Sequence, residues 1–251
     1  MVARSELLEY TNHLLEIDRF NDYAPNGLQV EGREEVTHIV SGVTASFELV
    51  MAAVEAGADA LLVHHGYFWK GENPCISGMK KRRLQQLLKH EINLLSYHLP
   101  LDAHAVYGNN AQLGALLGIF YIDSFGSSSP PLMMRGEFKQ PIPADELSAL
   151  LNEKLGRPPL HIAGGDALVR SVAWCSGGAQ GYIEEAALAG IDAYISGEVS
   201  EKTTHIAREM GVHYYAAGHH ATERYGIRAL SMHLSKRFDL QHQFIDIDNP
   251  A

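Results

Sequence analysis

Two adjacent histidines, His64 and His65, are the residues of this chain whose type and position best suit chemistry. They follow the apolar run 60–63, which predicts a buried strand, and the glycine after them predicts the end of that strand. Open α/β sheets bind their ligands at the carboxyl ends of strands. Because neutral imidazole is a common metal ligand, the pair predicts a metal site there.

Two further segments carry residues of the same kind. Asp102 follows the largely apolar stretch 97–101, in a loop with few flexible polar residues. His219 and Glu223 are four residues apart at the start of a predicted helix, so their side chains share a face and can bind one ion. This spacing favours His219, although His220 with Glu223 is also compatible with one face. Imidazoles and carboxylates at several strand ends predict a two-metal hydrolytic site, in which Glu223 is the best candidate for a bridging ligand.

Other polar residues stand near these segments. His98 and His104 flank Asp102, and either could orient a ligand through a hydrogen bond or move a proton. A role for Glu198 or His205 is left open. The glycine-rich segment 176–181 lacks the Lys-Ser/Thr of a phosphate-binding P-loop, which favours a tight turn over an anion site.

The composition limits the class of protein. The formal net charge of −10 argues against a general nucleic-acid binder, because nonspecific affinity for nucleic acid needs many Lys and Arg contacts. The basic cluster 80–83 is interpreted as a solvated helix start. Cys75 and Cys175 form no CxxC motif and suit a reducing compartment. Without an apolar leader or a membrane-spanning stretch, we expect a cytoplasmic protein with no membrane partner.

Apolar strands alternate with helices in two parts of the chain, which predicts α/β architecture with mainly parallel sheets. The predicted strands include 39–43, 60–63, 92–97, 172–175, 193–196 and 213–217. Between about 123 and 165 the alternation is lost. We therefore expect two interwound α/β lobes, with the halves of the metal-site lobe at 1–122 and 190–251, and with 123–189 as a linker plus a smaller α/β segment.

An internal repeat accompanies this alternation. Residues 56–60 (AGADA) match residues 189–193 (AGIDA), and each segment links a predicted helix to a predicted strand. Aligning the two places His65 opposite Glu198. The match predicts an internal duplication, with chance similarity of two βαβ units as the alternative.

Four segments together resemble a known family. They are 23–32 (YAPNGLQVEG), 63–72 (VHHGYFWKGE), 98–104 (HLPLDAH) and 218–223 (GHHATE). In this order they are similar to the bacterial GTP cyclohydrolase I type 2-like family, also known as the NGG-one-interacting-factor-three-like dinuclear metal proteins. The resemblance extends over nearly the whole chain.

The resemblance implies a two-lobe α/β fold, two divalent metal ions per chain and a toroidal homohexamer whose sites face an internal cavity. The ligand positions of the family fall on His64, His65, Asp102, His219 and Glu223. The resemblance thus favours His219 over His220. Glu198 stays outside the ligand set, since a shorter Asp often occupies that position in relatives.

The leading interpretation is a metal-dependent hydrolase that acts on a nucleotide or related small substrate. The ions would lower the pKa of water towards about 7 and so generate a hydroxide nucleophile. Five ligands shared by two ions leave coordination positions open, which favours an enzyme. Zinc, iron and manganese all suit imidazole–carboxylate sites, so the ion is not assigned. The alternative is a non-catalytic metal-binding or regulatory oligomeric scaffold.

Overall fold

The structure is a computed structural model that describes residues 1–120 and 122–251. The chain forms two compact units. The first unit contains residues 1–101 and 226–248, and the second contains residues 102–225 and 249–251. Each unit has its own sheet, flanked by helices, so the predicted two-lobe α/β class is confirmed.

The secondary structure has the following bounds. In chain order the strands are β1 Val2–Ala3, β2 Gly27–Val30, β3 Glu35–Val36, β4 His38–Thr44, β5 Ala60–His65, β6 Asn93–Ser96, β7 Phe120–Phe125, β8 Met133–Ile142, β9 Leu160–Ile162, β10 Val169–Cys175, β11 Ala193–Ser196, β12 His213–Ala216 and β13 Gln241–Phe244. The helices are α1 Arg4–Leu14, α2 Phe47–Glu55, α3 Gly78–Lys89, α4 Leu99–Ala103, α5 Asn109–Leu116, α6 Ala144–Leu155, α7 Ile183–Leu188, α8 Glu201–Met210 and α9 His219–Phe238. None of the described helices combines the length and apolar character needed to span a bilayer.

The sheet of the first unit has the strand order β13-β4-β5-β6-β2. All neighbouring strands are parallel except β2, which runs antiparallel to β6. The central strands are continuous apolar runs because helices cover both faces of a parallel sheet. Val40, Leu61 and Leu94 are fully buried at their centre.

Strand β5 is longer than the sequence predicts. Its pairing with β4 continues to the end, where Thr44 lies opposite His65, so both histidines belong to the strand. Neighbouring residues of a strand point to opposite faces. His64 is therefore fully buried, whereas His65 is half-buried.

The sheet of the second unit has the order β7-β8-β10-β11-β12-β9. Its central strands β10, β11 and β12 are parallel, and the outer pairings are antiparallel. The expected linker from 123 contains β8, which pairs with β10 and buries Met133 and Met134. The compact units divide after residues 101 and 225, and the boundaries at 122 and 189 stay a prediction.

An aspartate at the start of a central strand has the same role in each unit. Asp59 Oδ2 accepts hydrogen bonds from the amide and the hydroxyl of Thr37 and from the His38 amide, at 2.6–3.0 Å. Asp192 Oδ2 accepts from the amide and the hydroxyl of Ser171 and from the Arg170 amide, at 2.8–3.0 Å. In both units the carboxylate joins the strand before it to its own strand. This equivalence supports the internal duplication predicted from the repeat.

Candidate metal centre

Three histidines cluster at the carboxyl edge of the first unit's sheet. His64 and His65 end β5, and His98 lies two residues after β6. Each offers a ring nitrogen, and these three nitrogens lie within 4.8 Å of one another. The ring centroids of His64 are 4.6 Å from His65 and 5.1 Å from His98. We name these three side chains the imidazole cluster.

Each ring of the imidazole cluster bonds an oxygen atom through Nδ1. His64 Nδ1 lies 2.8 Å from the Tyr97 carbonyl oxygen, and His65 Nδ1 lies 3.1 Å from Thr44 Oγ1. A carbonyl oxygen can only accept, so His64 keeps its proton on Nδ1. In the neutral ring, Nε2 is then the atom whose lone pair can bind a metal ion.

The third ring is held by a buried carboxylate. His98 Nδ1 lies 2.7 Å from Asp22 Oδ1, and Asp22 also accepts from the Leu99 amide and from Asn26 Nδ2. Burial alone would raise the pKa of Asp22, but the hydrogen bond and charge of His98, with the other donors, lower this pKa to about 2. Asp22 therefore stays ionised and fixes the Nδ1 proton of His98.

Ligand-type residues also meet in the second unit. Asp102 and Glu223 are both buried, and a carboxylate oxygen of one lies within 4.8 Å of a carboxylate oxygen of the other. Asp102 Oδ1 accepts from Asn109 Nδ2 at 2.8 Å and from Ser176 Oγ at 3.1 Å. His219 Nε2 lies 3.2 Å from Glu223 Oε2. We name Asp102, His219 and Glu223 the carboxylate cluster.

Two acids orient His219 within the carboxylate cluster. Besides the contact with Glu223, its Nδ1 lies 2.7 Å from Glu198 Oε1. Burial lowers the pKa of His219, but the hydrogen bonds and charges of Glu223 and Glu198 outweigh this and raise it to about 9. At neutral pH the metal-free ring is therefore protonated, and an ion that binds it must displace a proton.

Gly177 provides the space for Glu223. Its φ of +65° is left-handed, and a Cβ added there would lie only 2.1 Å from Glu223 Oε1 and 3.1 Å from His219 Nε2. The Gly177 amide donates to Thr222 Oγ1 at 3.0 Å, which fixes the turn against the first turn of α9. The glycine-rich segment 176–181 is thus a tight turn that supports the carboxylate.

The two residues that flank Asp102 in the sequence have different roles. His98 belongs to the imidazole cluster, although the sequence suggested only a supporting role. Its position after an apolar strand, like that of His64 and His65, is the signal that could have identified it. His104 Nδ1 instead accepts from the amides of Val106 and Tyr107 and so stabilises its own turn.

His205 and His220 belong to neither cluster in the described part of the chain. His205 is exposed on α8, where it pairs with Glu201. His220 is buried, and its amide donates to the carbonyl oxygen of Ala251. Among the described residues, the potential metal-binding groups include His219 but not His220.

The donor atoms fit divalent metal ions. The imidazole cluster offers nitrogen donors whose other ring nitrogens are hydrogen-bonded, as in known metal sites. The carboxylate cluster places Asp102 and Glu223 close together away from water, and Glu198 adds a third acid beside His219. A cation offsets the repulsion between buried carboxylates.

Comparison with known proteins supports the resemblance seen in the four segments. The family described as Duf34/NIF3 (NGG1p interacting factor 3) matches residues 2–250. The GTP cyclohydrolase 1 type 2 homolog of Escherichia coli K12 is 56% identical over 251 residues and is covered completely, as is this chain. The protein of the same name from Pseudomonas aeruginosa PAO1 is 53% identical, and the match covers 100% of this chain and 99% of that protein.

A solved structure gives the same result for the fold. The protein ybgI, described as of unknown function, is 55% identical and superposes with a TM-score of 0.96 over the full length of both chains. The family match and the full-length identities therefore agree. The chain belongs to the DUF34/NIF3 family.

Proposed function

We propose that this chain binds two divalent metal ions and is a metal-dependent hydrolase for a nucleotide or a related small substrate. The proposed ligands are His64, His65, Asp102, His219 and Glu223. The observation that carries the proposal is the cluster of ring nitrogens: one nitrogen each of His64, His65 and His98 lies within 4.8 Å of the others, and His64 is oriented by the bond from its Nδ1 to the Tyr97 carbonyl oxygen.

The residues around the ligands have defined tasks in this proposal. Asp22 holds the Nδ1 proton of His98, so that this ring presents Nε2 beside His64 and His65. Glu198 likewise holds the Nδ1 proton of His219. Bound divalent ions would supply Lewis acidity and lower the pKa of water towards about 7. Side chains fixed in this way need little reorganisation during a reaction.

The substrate class is supported by the relatives. Those from Escherichia coli and Pseudomonas aeruginosa are both named GTP cyclohydrolase 1 type 2 homologs. GTP is a purine nucleotide, and its cyclohydrolysis would open a ring of the base. We therefore place nucleotides first among the substrates to be tested.

Metal analysis tests the ligand assignment. Protein purified without chelators should contain up to two ions per chain, and His65→Ala or Glu223→Ala should lose at least one. His205→Ala is the matched control, since this histidine is exposed and pairs with Glu201 of its own helix. Unchanged metal content in both ligand variants would refute the assignment.

A hydrolysis screen tests the activity. Nucleotides, nucleic-acid fragments and phosphoesters should be offered to the wild type and to Asp102→Ala. Metal-dependent turnover that the variant lacks supports the hydrolase. If the wild type binds both ions and turns over none of these compounds, the non-catalytic scaffold becomes the better account.

We further propose that the chain assembles into a homohexamer, which is toroidal in the family that it resembles. We also propose that it works in the cytoplasm. The two cysteines support the location, since both are free thiols. Sedimentation at micromolar concentration should give about six chain masses. A monomer under these conditions would contradict the assembly, and fractionation of the source cells tests the location.

A further inference from the structure

The loop that follows β5 has an unusual backbone conformation. Phe68 has a φ of +64°, in the left-handed region that residues other than glycine rarely adopt. Such strain costs about 1–3 kcal/mol and persists only where the surroundings hold it. Strained residues are concentrated at functional sites, so we ask what this conformation positions.

Hydrogen bonds hold the loop on both sides of Phe68. The Tyr67 amide donates to Gln29 Oε1 at 2.6 Å, and Gln29 Nε2 donates to the Tyr67 carbonyl oxygen at 3.0 Å. After the strained residue, the Lys70 amide donates to the Tyr23 carbonyl oxygen at 2.6 Å. The loop is therefore a fixed part of the first unit, tied to the segment that contains Tyr23.

One aromatic ring of this loop, Trp69, and one of the segment tied to it, Tyr23, lie beside the imidazole cluster. Trp69 is half-buried, and its ring meets that of His98 edge to face, with the centroids 5.0 Å apart. Its indole nitrogen donates to the Gly66 carbonyl oxygen at 3.2 Å, which fixes the ring. Tyr23 is 62% exposed, with its ring centroid 6.3 Å from that of His98.

We propose that Trp69 and Tyr23 form a binding site for a planar aromatic ring of the substrate, namely a nucleobase, by stacking. The inference rests on the proposed function and adds the residues that would recognise the base. The Trp69 ring is in contact with His98, and its centroid lies 5.9 Å from that of His65, so a base stacked on Trp69 is held close to the imidazole cluster. Every nucleobase has a face that can stack on an aromatic side chain, so this position suits the base of a substrate that reacts beside the cluster.

Tryptophan fluorescence can report on ligand binding at Trp69. The chain has two tryptophans, and Trp174 is fully buried in the second unit, whereas Trp69 is partly exposed. Quenching by an added ligand therefore reports on Trp69. Guanosine monophosphate should quench the emission of the metal-loaded wild type in a saturable way, and ribose 5-phosphate should not quench it.

Variants test the stacking directly. By calorimetry, Trp69→Leu should weaken the binding of guanosine monophosphate about tenfold or more, and Trp69→Phe should restore most of the affinity. Phe47→Leu is the matched control, since this exposed ring contacts Arg82 instead of a histidine. It should bind the nucleotide like the wild type, and all three variants should keep the metal content of the wild type.

Three results would overturn the inference. The first is the absence of saturable quenching, and the second is equal binding of the nucleotide to wild type and Trp69→Leu. The third is that acrylamide fails to quench the Trp69 fluorescence in the assembled protein but quenches it after the assembly is dissociated. This would mean that a second copy covers Trp69. If metal and hydrolysis persist in any of these cases, only the base site fails. If the purified wild type contained no divalent metal ion, the proposed function itself would be refuted.

Discussion

Replacing Gly177 with alanine should harm the carboxylate cluster more than it harms the backbone. The added methyl would lie 2.1 Å from Glu223 Oε1, whereas ordinary van der Waals contact begins at 3.4 Å. The carboxylate would therefore have to retreat by roughly 1 Å, within a site where Glu223 is only 3% exposed.

The expected magnitude has two parts. An alanine in the left-handed region costs about 1 kcal/mol. Displacing Glu223 would also break its contact with His219, and hydrogen bonds to charged groups contribute about 1.5–3 kcal/mol. Gly177→Ala should therefore lower the free energy of unfolding by about 3 kcal/mol.

Gly190 offers a matched control for the backbone part. Its φ is +73°, close to that of Gly177, and a Cβ added there would meet nothing within 4 Å. Gly190→Ala should therefore cost only about 1 kcal/mol. Denaturant unfolding with a chelator present measures both variants, and titration with a divalent ion compares their metal affinity.

The difference between the two variants is the decisive quantity. Gly177→Ala should bind the ion at least about tenfold more weakly than the wild type, whereas Gly190→Ala should bind it normally. If the two variants lose equal stability and bind the ion equally, Gly177 does not support Glu223 in the way described.

Three other predictions follow from the site and the fold. The pKa of Asp22 is lowered to about 2, so its ionised form should stabilise the folded protein by about 2 kcal/mol above pH 4, and this effect should disappear as the pH falls through 2. In acid unfolding curves, the stability difference between the wild type and Asp22→Asn should therefore shrink. His219, whose pKa is raised to about 9, must release a proton to bind an ion; metal affinity should rise with pH towards 9, and Glu198→Gln should reduce that slope near neutral pH. Asp59→Ala and Asp192→Ala should each lower the unfolding free energy by about 1–3 kcal/mol with unchanged metal content per folded chain. In each case Oδ2 accepts three hydrogen bonds from residues at the start of the neighbouring strand, and Asp59 Oδ1 also accepts one from Arg33.

The local elements of the fold were largely predictable. Strand 193–196 has the predicted bounds, since its apolar run is short and ends at a glycine. The sequence pattern does not predict strand β8, although Met134 and Phe138 are buried there while Arg135 and Lys139 are exposed. Gly136 interrupts the apolar side of this alternation. It is required because an added Cβ would lie 2.6 Å from the carbonyl oxygen of Phe120.

The partners of the candidate ligands were less predictable than the ligands themselves. His64 and His65 are visible because they adjoin one apolar strand. Asp22 is 76 residues away from His98, and no periodicity links the two. Glu198 was noticed through the repeat, but its contact with His219 depends on tertiary structure. Such contacts depend on how distant loops meet, which a local pattern does not encode.

The imidazole cluster would affect which metal ion the protein acquires in the cell. Neutral nitrogen donors rank divalent ions by the Irving–Williams order, in which manganese and iron bind more weakly than zinc, and copper binds most tightly. Among the proposed ligands, Asp102 and Glu223 add carboxylate oxygens, which suit harder ions such as manganese and temper this preference without reversing the order. If iron or manganese is the working ion, the supply of free zinc and copper during synthesis must be kept low. Protein from zinc-rich and iron-rich cultures should then differ in metal content while its fold is unchanged.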